Sequence, residues 1–162
     1  MIRDITLNDA EAVAQIYNYY ILNTVVTFEE EVITAMDMQN RIKETIDSLP
    51  WIVFEDNSTI LGYAYASKWK GRCAYRFTAE TTVYLDEKAR GRGIGSQLYS
   101  ELINRLKALN YHTAIGGIAL PNDASVALHE KMGFIKVAQF RETGRKMGRW
   151  IDVGYWQVIL SQ

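Results

Sequence analysis

Only one cysteine, Cys73, occurs in the 162 residues. A lone thiol cannot close an internal disulfide, which excludes a small stapled secreted domain. Charge of neither sign is in excess. The formal net charge is -1, so no whole-molecule field draws in nucleic acid or an anionic membrane. A ligand has to be attracted by a local site. No uninterrupted apolar run approaches the ~20 residues needed to span a bilayer, and Met1-Ile2-Arg3-Asp4 does not open a basic region followed by an apolar core. Repeats, low-complexity tracts and linkers are missing too. What is present is an ordinary balance, 48% apolar and 23% charged, in a length suited to one domain over residues 1–162. A cytoplasmic location is the simplest expectation.

The order of elements follows from periodicity and punctuation. Ile2 to Leu7 reads as a short strand. Asn8 with Glu11 has capping-box spacing, and Ala12, Ile16, Tyr19 and Tyr20 continue at helical spacing. Thr34 with Asp37 repeats the signal, and Met38, Ile42, Ile46 and Leu49 form a stripe up to Pro50, which disfavours helix at the residue before it. Trp51–Phe54 is a short apolar run, Asp56-Asn57 a turn, and Ile60–Ser67 alternates Leu61, Tyr63 and Tyr65 with Gly62, Ala64 and Ala66. After a loop at Trp69–Arg72, Tyr75–Leu85 reads as a longer strand. Leu98, Leu102, Ile103 and Leu106 mark a helix, and Thr113–Leu120 a strand. Pro121-Asn122-Asp123 opens a short helix closed at Gly133, and Phe134–Phe140 and Trp150–Leu160 are the last strands. This order predicts an α+β domain with one mixed sheet covered by helices. Tyr17, Tyr19 and Tyr20 are expected in a core or interface, and Trp150, Tyr155 and Trp156 on a packed C-terminal strand.

Between strand and helix lies Asp86-Glu87-Lys88-Ala89-Arg90-Gly91-Arg92-Gly93-Ile94-Gly95-Ser96. Glycines let the chain turn tightly and let a ligand approach the main chain. Consecutive N–H groups can then converge on an anion, and the helix behind adds its unpaired N–H groups and the positive end of its dipole. The combination suits a pyrophosphate, and Arg90 and Arg92 add charge. A P-loop would need Lys-Ser or Lys-Thr after its last glycine, and a dinucleotide fingerprint would need a third glycine where Ser96 stands. Neither pattern is met.

Arg90-x-x-Gly93-x-Gly95 resembles the acetyl-CoA signature of the GNAT acetyltransferase superfamily. The stretch Asn122 to Phe134, an Asn before a short helix ending in Gly-Phe, is similar to the family's downstream half-motif. Asn122 is also a plain helix N-cap candidate, and both roles can hold at once. The chain looks like the phosphinothricin and methionine sulfoximine acetyltransferase branch through almost its whole length. The match runs through Ile16-Tyr17-Asn18, Thr27-Phe28, Gly62-Tyr63-Ala64, Trp69, Glu80-Thr81-Thr82-Val83-Tyr84, Leu120-Pro121-Asn122-Asp123, Leu128-His129-Glu130 and Gly148-Arg149-Trp150-Ile151-Asp152-Val153. Many other GNAT enzymes carry a tyrosine proton donor where residue 129 stands; in this branch histidine is expected.

The resemblance implies a GNAT-like domain, its central sheet mixed, mostly antiparallel and twisted, with helices on both faces. It implies acetyl-CoA as cosubstrate, no metal, a small amine acceptor and a homodimer, with partner residues able to complete the pocket. Val83, Tyr84 and Leu85 would lie along the pantetheine, Arg90, Gly91, Arg92, Gly93, Ile94, Gly95 and Ser96 around the pyrophosphate, and Asn122 on the same cofactor. The amine must lose a proton, the thioester carbonyl must be polarised and the thiolate must be met by a donor. Glu80, upstream of the pantetheine strand, is expected as general base, directly or through water, with a pKa raised by burial. From the residue alone, a solvated carboxylate or one paired with Arg76 is the better fit; the family position favours the base. His129 is expected as acid for the thiolate, as aid to the base, or as a substrate contact; His112 has no such context. A main-chain N–H near Val83 or Tyr84 would meet the oxyanion. Arg72 and Arg76 can grip an acidic acceptor group or be surface cations, and Phe28 would wall the pocket. Cys73 has no His-Cys constellation, so attack is expected to be direct, from a ternary complex. A protein N-terminal acetyltransferase and a non-catalytic acyl-CoA sensor are the alternatives.

Overall fold

The computed structural model describes residues 1–160. Strand β1 (Ile2–Asp4) stops earlier than its apolar run suggests. The reason lies in a competing cap: the Asp9 carboxylate accepts from the Thr6 N–H at 2.7 Å and from its hydroxyl at 3.0 Å. Arg3 then clamps Asp9 with two bonds of 2.8 and 2.9 Å. A 3-10 turn over Leu7–Asp9 follows, and helix α1 runs Ala10–Asn23. Helix α2 (Ala35–Ile46) starts at the Thr34/Asp37 box, with both reciprocal bonds made. It ends at Ile46 instead of reaching Pro50, because Ser48 and Leu49 turn back onto the Thr45 carbonyl.

Strands β2 (Trp51–Asp56) and β3 (Thr59–Lys68) form a hairpin around Asn57-Ser58, whose φ angles of 48° and 62° match the twist of the paired strands. Strand β4 covers Thr78–Leu85. It begins later than Tyr75 because Cys73–Tyr75 is a 3-10 turn. Helix α3 (Ile94–Ala108), strand β5 (Thr113–Ala119) and helix α4 (Asp123–Lys131) follow. Strand β6 spans Ile135–Lys146, well past Phe140, and turns through Met147-Gly148 (φ 52° and 73°) into β7, Arg149–Ile159.

The sheet order is β1-β2-β3-β4-β5-β7-β6. Every pairing is antiparallel except β4 with β5. That parallel pair is held only at Thr78↔Thr113, Ala79↔Ala114 and Glu80↔Ile115. Beyond Glu80 the two strands part, and the sheet opens into a wedge at its middle.

Helices cover both faces, as the resemblance implies. The small side of β3 (Gly62, Ala64, Ala66) lets α3 come close: a methyl on Gly62 would lie 3.3 Å from Leu98 and 2.6 Å from Leu85. Leu98, Leu102 and Leu106 are fully buried there, each contributing roughly 1.5–3 kcal/mol. On the other face Tyr17, Tyr20 and Ile21 of α1 and Met38 and Ile42 of α2 cover Trp51, Val53 and Tyr63. Tyr17 and Tyr20 are thus core residues. Trp156 is buried, but Trp150 is exposed beside Arg145, which stacks on its ring at 4.9 Å. The β6–β7 hairpin leaves the body of the sheet there, so this tryptophan packs on no second layer.

Candidate active site

The wedge is flanked at one end by the glycine loop. Gly91 and Gly93 have φ of 74° and 76°, and a Cβ at either would meet nothing within 4 Å. They are glycine for their left-handed backbone, and the open space beyond leaves the main chain bare to a ligand. Gly95 has no such left-handed angle, and a Cβ there would meet Leu85 and Leu128 at ordinary contact distances of 3.4 and 3.5 Å. Gly93 caps α3, and the buried Ile94 anchors the first turn. Arg90 lies 5.3 Å over the ring of Tyr20 and 5.5 Å over Tyr19, while the Tyr20 hydroxyl donates to the Leu85 carbonyl at 2.6 Å. A cavity of about 340 Å³ opens here, lined by Val83, Tyr84, Leu85, Arg90, Gly91 and Asn122, and also by Tyr20, Ser125 and Leu128. Asn122 both lines the cavity and caps α4, its side chain accepting from the Ser125 N–H at 3.1 Å. Arg92 instead reaches Asp56 at 3.5 Å, and Ser96 accepts from Lys131 at 3.2 Å. Bare amides, a helix start and a cation beside a partly apolar trench fit a diphosphate that continues into a thin pantetheine-like arm.

At the apex of the wedge sits Glu80, the last residue of β4 paired with β5. It is half-buried, and burial alone pushes its carboxyl above the ordinary range. Among the described residues no cation is paired with it. Arg76 therefore does not neutralise it. The parting strands expose Glu80 to a second cavity of about 450 Å³, shared with Thr82, Val83, Phe28, His129, Thr143 and Tyr155.

His129 comes from α4, on the opposite face. It is buried, and burial holds its pKa below the ordinary value. Its Nδ1 lies 2.7 Å from the Ser125 carbonyl. A carbonyl only accepts, so Nδ1 carries the proton and neutral Nε2 is left as an acceptor. Two adjacent glycines in β5 make this possible. A Cβ on Gly116 would sit 2.3 Å from Nε2, and one on Gly117 would press on Tyr155 at 3.1 Å. The sequence carried that signal, since glycine inside a strand marks close approach, but sequence reasoning missed it. It also missed Thr143, Tyr155 and Val153, which come from the two last strands.

Phe28 lines this second cavity, its ring laid against Gly144, where a Cβ would be 2.4 Å away. Its neighbour Thr27 is pinned by the Tyr17 hydroxyl at 2.7 Å and by the buried Lys146, whose Nζ donates to the Thr27 carbonyl at 2.8 Å. Arg72 and Arg76 are not brought to this cavity. Both are exposed around the Cys73–Tyr75 turn, and Arg76 is folded over Phe77 at 4.5 Å. Cys73 is exposed, and it and His112 lie outside both linings.

A trench for a diphosphate-bearing thioester, leading to an uncompensated carboxylate and an imidazole, suits transfer of an acyl group from coenzyme A to an amine. Residues 2–154 match the acetyltransferase (GNAT) domain model, and the chain belongs to that family. It is therefore an N-acetyltransferase that uses acetyl-CoA. It is 39% identical over 156 residues to a phosphinothricin N-acetyltransferase of Streptomyces viridochromogenes, covering 96% of this chain and 85% of that enzyme. It is 32% identical to the L-methionine sulfoximine/L-methionine sulfone acetyltransferase of Salmonella typhimurium, covering 95% and 91%. The crystal structure of a GNAT superfamily phosphinothricin acetyltransferase from Sinorhizobium meliloti in complex with acetyl-CoA superposes with a TM-score of 0.96, at 36% identity and covering 99% of this chain and 88% of that one.

Proposed function

We propose that the chain acetylates the amine of a small amino-acid-like acceptor of the phosphinothricin, methionine sulfoximine or methionine sulfone type. Attack is direct, in a ternary complex with acetyl-CoA, which supplies the acetyl thioester. The observation that carries this reading is the half-buried, unpaired Glu80 at the apex of the wedge, with His129 facing the same cavity from the other side of the sheet. Glu80 takes a proton from the acceptor's ammonium, directly or through one water. His129 takes up the second proton at Nε2 and returns it to the departing thiolate. Past Glu80, β4 has no partner on its β5 side, so a main-chain N–H near Val83 or Tyr84 is free to face the acyl oxygen. Val83, Tyr84, Leu85, Arg90, Gly91 and Asn122 hold the cosubstrate, with Arg92 and the Gly93–Ser96 turn around its phosphates.

An amino-acid acceptor brings a carboxylate, yet the acceptor cavity holds no arginine or lysine. A homodimer meets that need if Arg72 and Arg76 of one protomer serve the cavity of its partner. The exposed Phe77 and Phe140 supply apolar surface for such a contact. The working place of the enzyme is the cytoplasm.

The test is a thiol-release assay with acetyl-CoA over phosphinothricin, methionine sulfoximine, methionine sulfone and peptides with free N-termini. Turnover of the small acceptors well above the peptides is expected. Faster turnover of peptides would make it a protein N-terminal acetyltransferase. Tight acetyl-CoA binding with no thiol release on any amine would make it a sensor.

A further inference from the structure

Strands β6 and β7 pair as far as Phe140↔Val153, with a one-residue irregularity between Lys136 and Ala138, and resume at Gly144↔Ile151. Four steps along β6 match two along β7, so two residues of β6 are extra. A single extra residue would turn every later side chain to the other face, whereas two preserve the alternation and throw out a loop. Glu142, inside this bulge, has φ 52°, a conformation a non-glycine residue adopts at a cost and keeps only when held. Asp152 holds it. One carboxylate oxygen accepts from the Glu142 N–H at 2.9 Å, and the other accepts from the Gln139 side chain at 3.0 Å. On the far side of the bulge, Gly144 seats the Phe28 ring.

The residue this loop presents to the acceptor cavity is Thr143. Two other threonine hydroxyls in that lining are engaged, Thr27 with Tyr17 and Thr81 with Tyr99, whereas those of Thr143 and Tyr155 carry no such bond among the described residues. The Thr143 hydroxyl makes no hydrogen bond among the described residues, and its neighbours at this end are Phe28, Val153 and Tyr155. A free donor in a cavity wall favours a ligand that brings an oxygen to it.

We propose that Thr143 is a specificity-determining residue that donates to the side-chain oxygen of the acceptor (the S=O or P–O group), and that Asp152 is the positioning residue that fixes the bulge presenting it. The inference rests on the acetyltransferase reading given above. It needs no rearrangement, since Thr143 already faces the cavity that holds Glu80 and His129.

Thr143→Val removes the hydroxyl and keeps the shape, and the exposed position tolerates it. Thr143→Ser restores the donor. Thiol release is measured with methionine sulfone and with norleucine, which lacks the oxygen. Loss of one hydrogen bond predicts a KM for methionine sulfone raised about fivefold to tenfold in Thr143→Val. The kcat, the KM for acetyl-CoA and the kcat/KM for norleucine should stay within about twofold, as should every constant of Thr143→Ser. Asp152→Ala should reproduce the rise in KM, while Asp152→Asn, which still offers an oxygen to the Glu142 N–H, should recover most of it. An unchanged KM for the sulfone in Thr143→Val, or equal losses on both acceptors, overturns the assignment while leaving the acetyltransferase reading intact. A wild-type enzyme that turns over neither acceptor overturns both.

Discussion

The two ends of the wedge are built in opposite ways. The end proposed to hold the cosubstrate is nearly contiguous: Val83 to Ser96 with Asn122, and much of what it offers is main chain. The acceptor end gathers Phe28, Glu80, His129, Thr143 and Tyr155 from separate elements and offers side chains. A ligand that never varies can be held by amides whose geometry a few glycines fix, and such a pattern stays local in sequence. A ligand that distinguishes one enzyme of the family from another is read by side chains converging from afar. The two ends should therefore fail independently, each leaving the other's constants untouched.

Glu80→Gln is the hardest blow to the acceptor end. A positioned base contributes about 10²–10⁴-fold, so kcat should fall at least a hundredfold while the acetyl-CoA dissociation constant is unchanged. Wild-type activity should rise with pH through the elevated Glu80 pKa, and that limb should vanish in the variant. Stability should move the other way. A carboxyl whose pKa is raised on folding holds its proton more tightly in the native state. The protein therefore loses stability as pH climbs from the unfolded value through the folded one, and carries the full penalty at neutrality. Removing the charge should raise Tm at pH 7 by about 2 °C and leave it unchanged near pH 4. A fall in Tm, or a weakened hold on acetyl-CoA, would mean that Glu80 serves structure at both ends.

The same contrast explains what could be read in advance. The glycine loop was legible because Gly91, Gly93 and Gly95 stand at short spacing in front of an amphipathic helix. So was a mixed sheet covered by helices, from periodicity and the order of elements; helices on both faces came from the resemblance. Residue resemblance pointed to Glu80, Phe28 and His129, and all three line the acceptor cavity. Thr143 was not legible. Its place depends on a two-residue bulge in a strand whose reading ended at Phe140, and on an aspartate opposite. Arg72 and Arg76 were weighed by spacing along a strand, but the chain there is a 3-10 turn and both lie outside the cavity lining. The first helix is capped at Asp9, one residue later than the Asn8 reading, because Thr6 and Asp9 form a box that opens a 3-10 turn ahead of it.

Gly116→Ala comes next in effect. Its methyl would lie 2.3 Å from His129 Nε2 and 3.3 Å from the Tyr99 hydroxyl. His129 would have to leave its seat, while α4 stays anchored through Phe134. A drop in kcat of about 10–100-fold is expected, similar to His129→Ala, and the double variant should lose no more than either single one. Additive losses would show that the glycine is needed for β5 itself.

Gly93→Ala tests the cosubstrate end. No atom lies within 4 Å of the new methyl, so the direct cost is that of an alanine at φ 76°, on the order of 1–2 kcal/mol of stability. The methyl would stand in the open space beside the bare amides. The KM for acetyl-CoA should rise about tenfold with the acceptor KM unchanged. A change in the acceptor KM would show that the two ends communicate through α3, the helix this glycine caps.

The smallest effect belongs to the one thiol. Cys73 is exposed on the 3-10 turn before β4 and lines neither cavity. A relay of the acetyl group through it would need a thiolate within reach of Glu80 or His129, and the turn places it outside the cavity that holds both. Cys73→Ala should leave kcat and both KM values within about twofold, with steady-state lines that intersect as a ternary complex requires. Parallel lines, or an acetylated Cys73 trapped when acceptor is withheld, would replace direct attack with a two-step transfer. That result would also mean that the acceptor end extends beyond the wedge to the turn carrying Arg72 and Arg76.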